Sequence, residues 1–212
     1  MNVSLLFPPT WHPSQPYLSL PSLKGFLSQG GISNVSQRDL GIELLDRVLT
    51  QSYGAGLYQE LIDKQRALER ERTGETGPGS AEHLARVVES LDRFSYLIDR
   101  IEPAKETLRG EGFYDLESYK ESLFLIDKWL EVLSTLYFPT RLTVVDNQFG
   151  NCSIYASKDL MKIIRDEAQN PYIQLFRQYF IQSIVGDQPD MIGVSITATS
   201  QIIPGLTLCR LI

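Results

Sequence analysis

The chain opens on Val3-Ser4-Leu5-Leu6-Phe7, apolar at four of five positions and closed by Pro8-Pro9. A short apolar run stopped by residues that cannot donate to a ladder predicts a first buried strand. Pro8, Pro9, Pro13 and Pro16 make the following loop stiff and extended. Leu20, Leu23 and Leu27 then recur at helical spacing, with Pro21 in the first turn and Gly30-Gly31 as the stop. Residues 32–39, carrying Val35 among alternating polar positions, predict a second strand. Strand, helix and strand make one βαβ unit, parallel by the crossover rule.

From residue 40 to about 137 the pattern turns helical and charged, with no strand expected. Leu116, Tyr119, Leu123, Ile126, Leu130, Leu133 and Tyr137 form one stripe, with Asp115 placed to cap it. Leu84, Val88, Leu91, Ile98 and Ile101 form another. A third helix is predicted from about Leu40 toward Arg70, interrupted near Gly54-Ala55-Gly56. Residues 65–75 and the linker over 74–80 read as solvated and mobile. Leu142 to Val145 fit a short strand or an ordered connection equally well.

Ser157 is placed to cap a helix through Ile164. Asn170-Pro171 is a cap followed by a first-turn proline, ahead of Leu175, Phe176, Tyr179, Phe180 and Ile184. The last strand is predicted at Pro189-Asp190-Met191-Ile192-Gly193-Val194-Ser195, buried, feeding a loop through Thr197, Thr199, Ser200 and Gln201 into a helix that begins near Pro204. In open α/β sheets the carboxyl end of a strand and its small polar loop build ligand sites. These residues supply hydroxyls and an amide, without a charge, nucleophile or general base, so the expectation is binding and not catalysis.

Composition adjusts this picture at three points. A hydrophobic share of 42% in 212 residues is ample for a packed core. A formal charge of −6 and a pI near 5.0 exclude a general nucleic-acid or anionic-membrane footprint. Two cysteines, Cys152 and Cys209, with no pairing pattern fit a reducing cytoplasm, and no apolar run of membrane-spanning length occurs. The chain stops at Leu211-Ile212 within an apolar helical pattern, which is expected of a truncated piece of a longer protein.

Candidate chemistry is sparse. His83 begins a charged helix and reads as a surface residue. His12, in the loop after the first strand, reads either as a histidine hydrogen-bonded within a Pro-rich loop or as a ligand or proton carrier. Cys152 is a candidate nucleophile for a freestanding transferase if the fold brings it a base. Cys209, spaced with Leu206 and Ile212, reads as a packed small hydrophobe. No GxGxxG or phosphate-loop lysine motif is present.

Several stretches taken together resemble a known family. Pro8-Pro9 after a strand, Gln15-Pro16-Tyr17-Leu18-Ser19-Leu20-Pro21-Ser22-Leu23, Gln37-Arg38-Asp39-Leu40, and the segments 189–195, 200–201 and 206–212 resemble the N-terminal region of radical S-adenosylmethionine (radical SAM) proteins with a cobalamin-binding-type domain. The resemblance covers roughly residues 1–45 and 139–212. It implies an α/β fold: a partial flavodoxin-like, Rossmann-like doubly wound parallel sheet with a large all-helical insertion. The divisions would be 1–40 for the first βαβ unit, 41–137 for the insertion and 138–212 for the rest of the α/β domain. Residues 10–17, with Thr10, His12, Gln15 and Tyr17, would face the corrin, and Ser195 and Thr197, with Ser200 and Gln201 in the same loop, would line the nucleotide tail. Cobalamin, bound or vestigial, is the implied cofactor. The 4Fe-4S cluster and S-adenosylmethionine belong to an expected downstream radical SAM barrel, since the three-cysteine cluster motif does not occur in these residues. The whole enzyme would carry out methyl transfer or a radical rearrangement, this part alone being non-catalytic. The Asp-x-His-x-x-Gly loop of domains that ligate cobalt through histidine is absent, because Pro13-Ser14-Gln15 follows His12. The alternative is a cofactor-free substrate- or protein-recognition module built on the helical insertion.

Overall fold

The computed structural model describes residues 1–15, 17–72, 78–150 and 152–212. The chain divides into two compact units. One is formed by Met1–Leu45 with Asn151–Ile212, the other by Asp46–Gly150.

The first unit is built on a three-stranded parallel sheet of order β2-β1-β5, from β1 (Val3–Phe7), β2 (Val35–Asp39) and β5 (Met191–Val194). β1 pairs with β2 from Val3↔Val35 to Phe7↔Asp39, and with β5 from Val3↔Met191 to Leu6↔Val194. All five residues of β1 are buried, as a central parallel strand covered on both faces must be. Helix α1 (Ser19–Gln29) crosses between β1 and β2, and Leu20 joins Val3, Leu5, Phe7 and Val35 in one core cluster. Gly31, at φ +86°, takes the left-handed turn after α1 that a side chain would resist.

β5 departs from its expectation. It lies at the sheet edge, half-exposed, with Met191 55% accessible. An apolar run does not distinguish a central strand from an edge strand, and here the edge won.

α6 (Ser157–Ile163), α7 (Pro171–Phe176), a π-helical turn (Arg177–Ile181), α8 (Gln182–Gly186) and α9 (Ile202–Leu211) complete this unit. Asn170 caps α7 as expected: its Oδ1 accepts from the Tyr172 N–H at 3.1 Å, while its Nδ2 donates to Ile163 O and Thr207 Oγ1. Ser157 does not cap α6. Ala156 holds the cap position without a side-chain bond, and Asp159 instead accepts from the Ser153 N–H. Cys209 is exposed and not packed, because the buried stripe of α9 runs through Ile203, Pro204, Gly205, Thr207 and Leu208.

The second unit packs α3 (Gln51–Arg72), α4 (Pro78–Arg109) and α5 (Leu116–Thr135), α4 lying against both others, with a two-residue hairpin of β3 (Arg141–Leu142) and β4 (Asn147–Gln148). α2 (Leu40–Val48) precedes α3, and the break falls at Leu49-Thr50. The Gly54-Ala55-Gly56 interruption is thus not a break. Gly54 sits inside α3 because a Cβ there would come within 2.7 Å of the Trp129 ring, so this glycine serves close packing. Trp129 is fully buried and donates its indole N–H to Val48 O at 2.8 Å.

Asp115 caps α5 by accepting from the Ser118 N–H at 2.9 Å. The expected stripe on α4 holds at its ends, where Leu84 and Ile101 are buried, but Val88 is exposed and Val87, Phe94 and Leu97 fill the core between them. The expected stripe from Leu116 is buried at Ile126, Leu130, Leu133 and Tyr137, Leu116 itself is exposed, and Trp129 joins the buried side of α5. Residues 65–72 continue α3 as helix, and residues 73–77 of the expected linker lie outside the described residues. No helix of the described residues is long and apolar enough to cross a membrane.

Candidate functional site

Parallel pairing of β1 with both β2 and β5 puts three carboxyl ends on one side of the sheet. From β1 the chain runs through Pro8-Pro9 to Thr10. From β5 it runs through Ser195 to the 3₁₀ turn Thr199–Gln201. One side chain ties these two loops together. Gln201, with no exposed surface, donates from Nε2 to Pro8 O at 2.7 Å. Its Oε1 accepts from the Thr197 N–H and Oγ1, both at 2.9 Å, and from the Ala198 N–H at 3.3 Å. Ser200 Oγ adds a bond to Thr10 O at 3.1 Å. Thr10 is itself buried, its hydroxyl 3.0 Å from that of Tyr172.

The loop that read as a set of donors for a ligand therefore spends much of its bonding capacity on itself. Ser195 Oγ donates to Ser19 Oγ at 3.0 Å, and the Ser195 N–H continues the ladder to Leu6 O. Neutral hydroxyls and an amide carry enough donors and acceptors to satisfy one another, so their presence after a strand cannot distinguish a ligand wall from an internal staple.

The other wall is aromatic. Tyr17 stacks on Phe7 with centroids 5.6 Å apart and planes 14° from parallel, and Trp11 meets Tyr17 edge-on at 5.0 Å. The Trp11 indole N–H donates to Gln15 O, and the Gln15 N–H to His12 O, closing residues 11–15 into a turn. His12 Nδ1 engages Ser14 through its hydroxyl at 2.8 Å and its N–H at 3.3 Å. Of the sequence-designated residues, the structure joins Thr10, Thr197, Ser200 and Gln201 in one hydrogen-bonded knot. His12, Gln15 and Tyr17 share the adjoining aromatic turn, and Ser195 bonds toward α1.

Three further residues of this region were not among the candidate site residues. Trp11 completes the aromatic wall. Tyr172 supports Thr10 from α7, 162 residues away in the chain. Asp39, at the carboxyl end of β2, caps α2 by accepting from the Gly41 and Ile42 N–H groups at 2.9 and 3.1 Å. Burial pushes the Asp39 carboxyl upward more than those two bonds draw it down. An Asp opening a helix was the available sign for that last residue.

Elsewhere, burial, and then the Asp159 carboxylate, push the Cys152 thiol up, the direction opposite to thiolate formation. His83 is not on the surface. It is 8% exposed and donates from Nε2 to Thr135 O at 2.8 Å, with its ring stacked on Phe138. No cluster of His, Cys, Asp and Glu suited to a metal ion occurs among the described residues.

No protein-family model matches the chain. No curated protein and no solved structure matches it either.

Proposed function

We propose that the unit Met1–Leu45 with Asn151–Ile212 is a flavodoxin-like, cobalamin-binding-type domain of a radical SAM protein, serving as a binding platform without catalysis of its own. The observation that supports this reading is the strand order β2-β1-β5. The two neighbours of β1 leave it on opposite sides, which makes the β1/β5 junction a topological switch point, where open α/β sheets hold ligands outside the carboxyl ends. At that end the exposed ring of Tyr17, backed by buried Phe7 and flanked by half-buried Trp11, is the kind of surface a broad, flat macrocycle packs against.

The fit of the two walls to such a cofactor differs. The aromatic turn suits it. The hydroxyl wall does not offer the donors first expected of it, because Thr197 and Gln201 bond each other. His12 Nδ1 is engaged by the Ser14 hydroxyl and N–H, which fixes the orientation of its ring. Methyl transfer or radical rearrangement would belong to a barrel elsewhere in the polypeptide.

Mixing the chain with hydroxocobalamin and desalting tests the reading. Retained corrin absorbance, reduced by Trp11→Ala and kept by Thr197→Val, is the expected outcome. A colourless protein would remove the cofactor and leave the cofactor-free recognition reading, which the internal satisfaction of Gln201 favours.

A further inference from the structure

The helical unit contains a cavity of about 220 Å³ between α4, α5 and the start of the β3–β4 hairpin. At roughly 30 Å³ of liquid volume per water, it has room for a ligand of several non-hydrogen atoms. Its rim carries Arg86, Arg93, Lys128 and Arg141, against the two carboxylates of Glu89 and Glu131. A cationic lining in a chain of net charge −6 is a local departure that composition conceals.

The carboxylates do not neutralise this rim. Arg93 pairs with Glu89 one helical turn away, an exposed pairing of little strength. Lys128 and Arg141 both bind Glu131, so two cations share one carboxylate. Arg86 pairs with Glu82, outside the lining, while its guanidinium lies over the Phe138 ring at 5.2 Å. The arginine heads are about half-exposed, which leaves them able to turn toward a ligand.

The remaining lining includes hydroxyls. Ser134 Oγ and Thr135 Oγ1 both donate to Glu131 O, at 2.8 and 3.0 Å. Ser90 Oγ lies 3.0 Å from Thr135 Oγ1. Since the Thr135 proton is committed to a carbonyl, Ser90 is the donor of that pair. Its hydroxyl can rotate to a ligand while Thr135 keeps its own bond. Guanidinium forks and an ammonium around a rotatable hydroxyl are the donors that a phosphate or carboxylate group takes.

We infer that this cavity is a binding site for a small oxyanion-bearing ligand, held by Arg93, Arg141 and Lys128 with Ser90 beneath. Glu131 occupies the cations in the absence of ligand. Nothing in this inference depends on the cobalamin reading, which concerns the other unit.

The test is a titration of the isotope-labelled chain with inorganic phosphate, at ionic strength held constant with chloride and followed by NMR. Expected are saturable shifts of the arginine Nε–H signals and of the Ser90 and Thr135 amides. The double variant Arg93→Gln/Arg141→Gln is expected to weaken binding about tenfold or more, as befits loss of charge-assisted bonds. Glu131→Gln, which releases Lys128 and Arg141, is expected to tighten it severalfold, a direction that damage to the fold would not give. A parallel titration with succinate separates phosphate from carboxylate ligands. Shifts that fail to saturate with both anions, that chloride reproduces, or that the double variant retains would overturn the site.

Discussion

At the strand ends of the α/β unit, Gln201 is wholly buried and its amide is consumed by Pro8, Thr197 and Ala198. In the helical unit, the cavity rim holds half-exposed arginines whose carboxylate partners are shared or lie outside the lining. Both regions are rich in polar groups, yet the first uses them to fix two loops and the second leaves them exchangeable. Burial decides the difference. A buried amide left unpaired costs about 1–3 kcal/mol per group, so the interior selects closed networks. An exposed ion pair is worth about 0–1 kcal/mol, so a surface cleft can give its partners up to a ligand. Polar content alone therefore does not locate a site.

Removing Gln201 is the most direct way to break the comparison. Gln201→Ala strands Pro8 O and the Thr197 and Ala198 N–H groups, and a loss of about 3 kcal/mol in urea unfolding is expected. The Arg93→Gln/Arg141→Gln variant, by contrast, should unfold within about 0.5 kcal/mol of the parent, as surface changes do. Equal losses for the two would mean that the strand-end knot is no more structural than the cavity rim.

A second contrast sharpens the comparison through packing. Gly54 and Gly205 both sit inside helices where an added methyl would clash, at 2.7 Å from Trp129 and 2.5 Å from Ile196. Trp129 has no exposed surface and cannot withdraw, whereas Ile196 is 38% exposed and has somewhere to go. Gly54→Ala is expected to cost about 2 kcal/mol by overpacking. Gly205→Ala should cost about 0.5 kcal/mol, since the helix gain of alanine offsets much of the strain. Thermal melts of the two variants order them, and the reverse order would refute the mobility argument.

Much of the α/β unit was legible because its elements are short and punctuated. Pro8-Pro9 closes β1, Gly30-Gly31 ends α1, and Asn170-Pro171 opens α7, each by a local rule that tertiary structure had no cause to override. The edge position of β5 was not legible, since neighbour order is a property of the assembled sheet. On α4 the expected stripe failed at Val88, whose neighbour Val87 is the buried one, while Leu84 and Ile101 are buried as expected. Leucine, valine and isoleucine occur on both sides of α4, and only the partner helices select which are buried. Gly54 misled for a related reason: a glycine required by a tryptophan 75 residues later looks the same in sequence as one that breaks a helix. At the candidate site, the residues of the two loops were identified, but whether their hydrogen bonds turn outward or toward each other depends on Gln201 reaching Pro8 across 193 residues.

His83 gives the subtlest test of how burial treats a polar group. Its position among charged residues suggested solvent, yet it is buried against Phe138 and bonded to Thr135 O. Burial pushes its pKa down. The Thr135 bond opposes that, Lys64 and Arg86 reinforce it, and Glu71 opposes it. The net shift is downward, so the folded protein holds this proton less tightly than the unfolded chain, whose histidine titrates near 6.5. As pH falls through about 6.5 the unfolded chain is protonated first, and the stability that neutral His83 contributes is progressively lost toward its lower folded value. Asp39 and Glu60, whose carboxyls burial pushes up, act with the opposite sign at lower pH, because there the folded state takes the proton first. Melting temperature should therefore decline between about pH 6.5 and 5 in the parent, and the decline should flatten in His83→Gln, which keeps a donor for Thr135 O without titrating. An unchanged slope in that variant would show that the buried imidazole does not set the stability of the helical unit over this range.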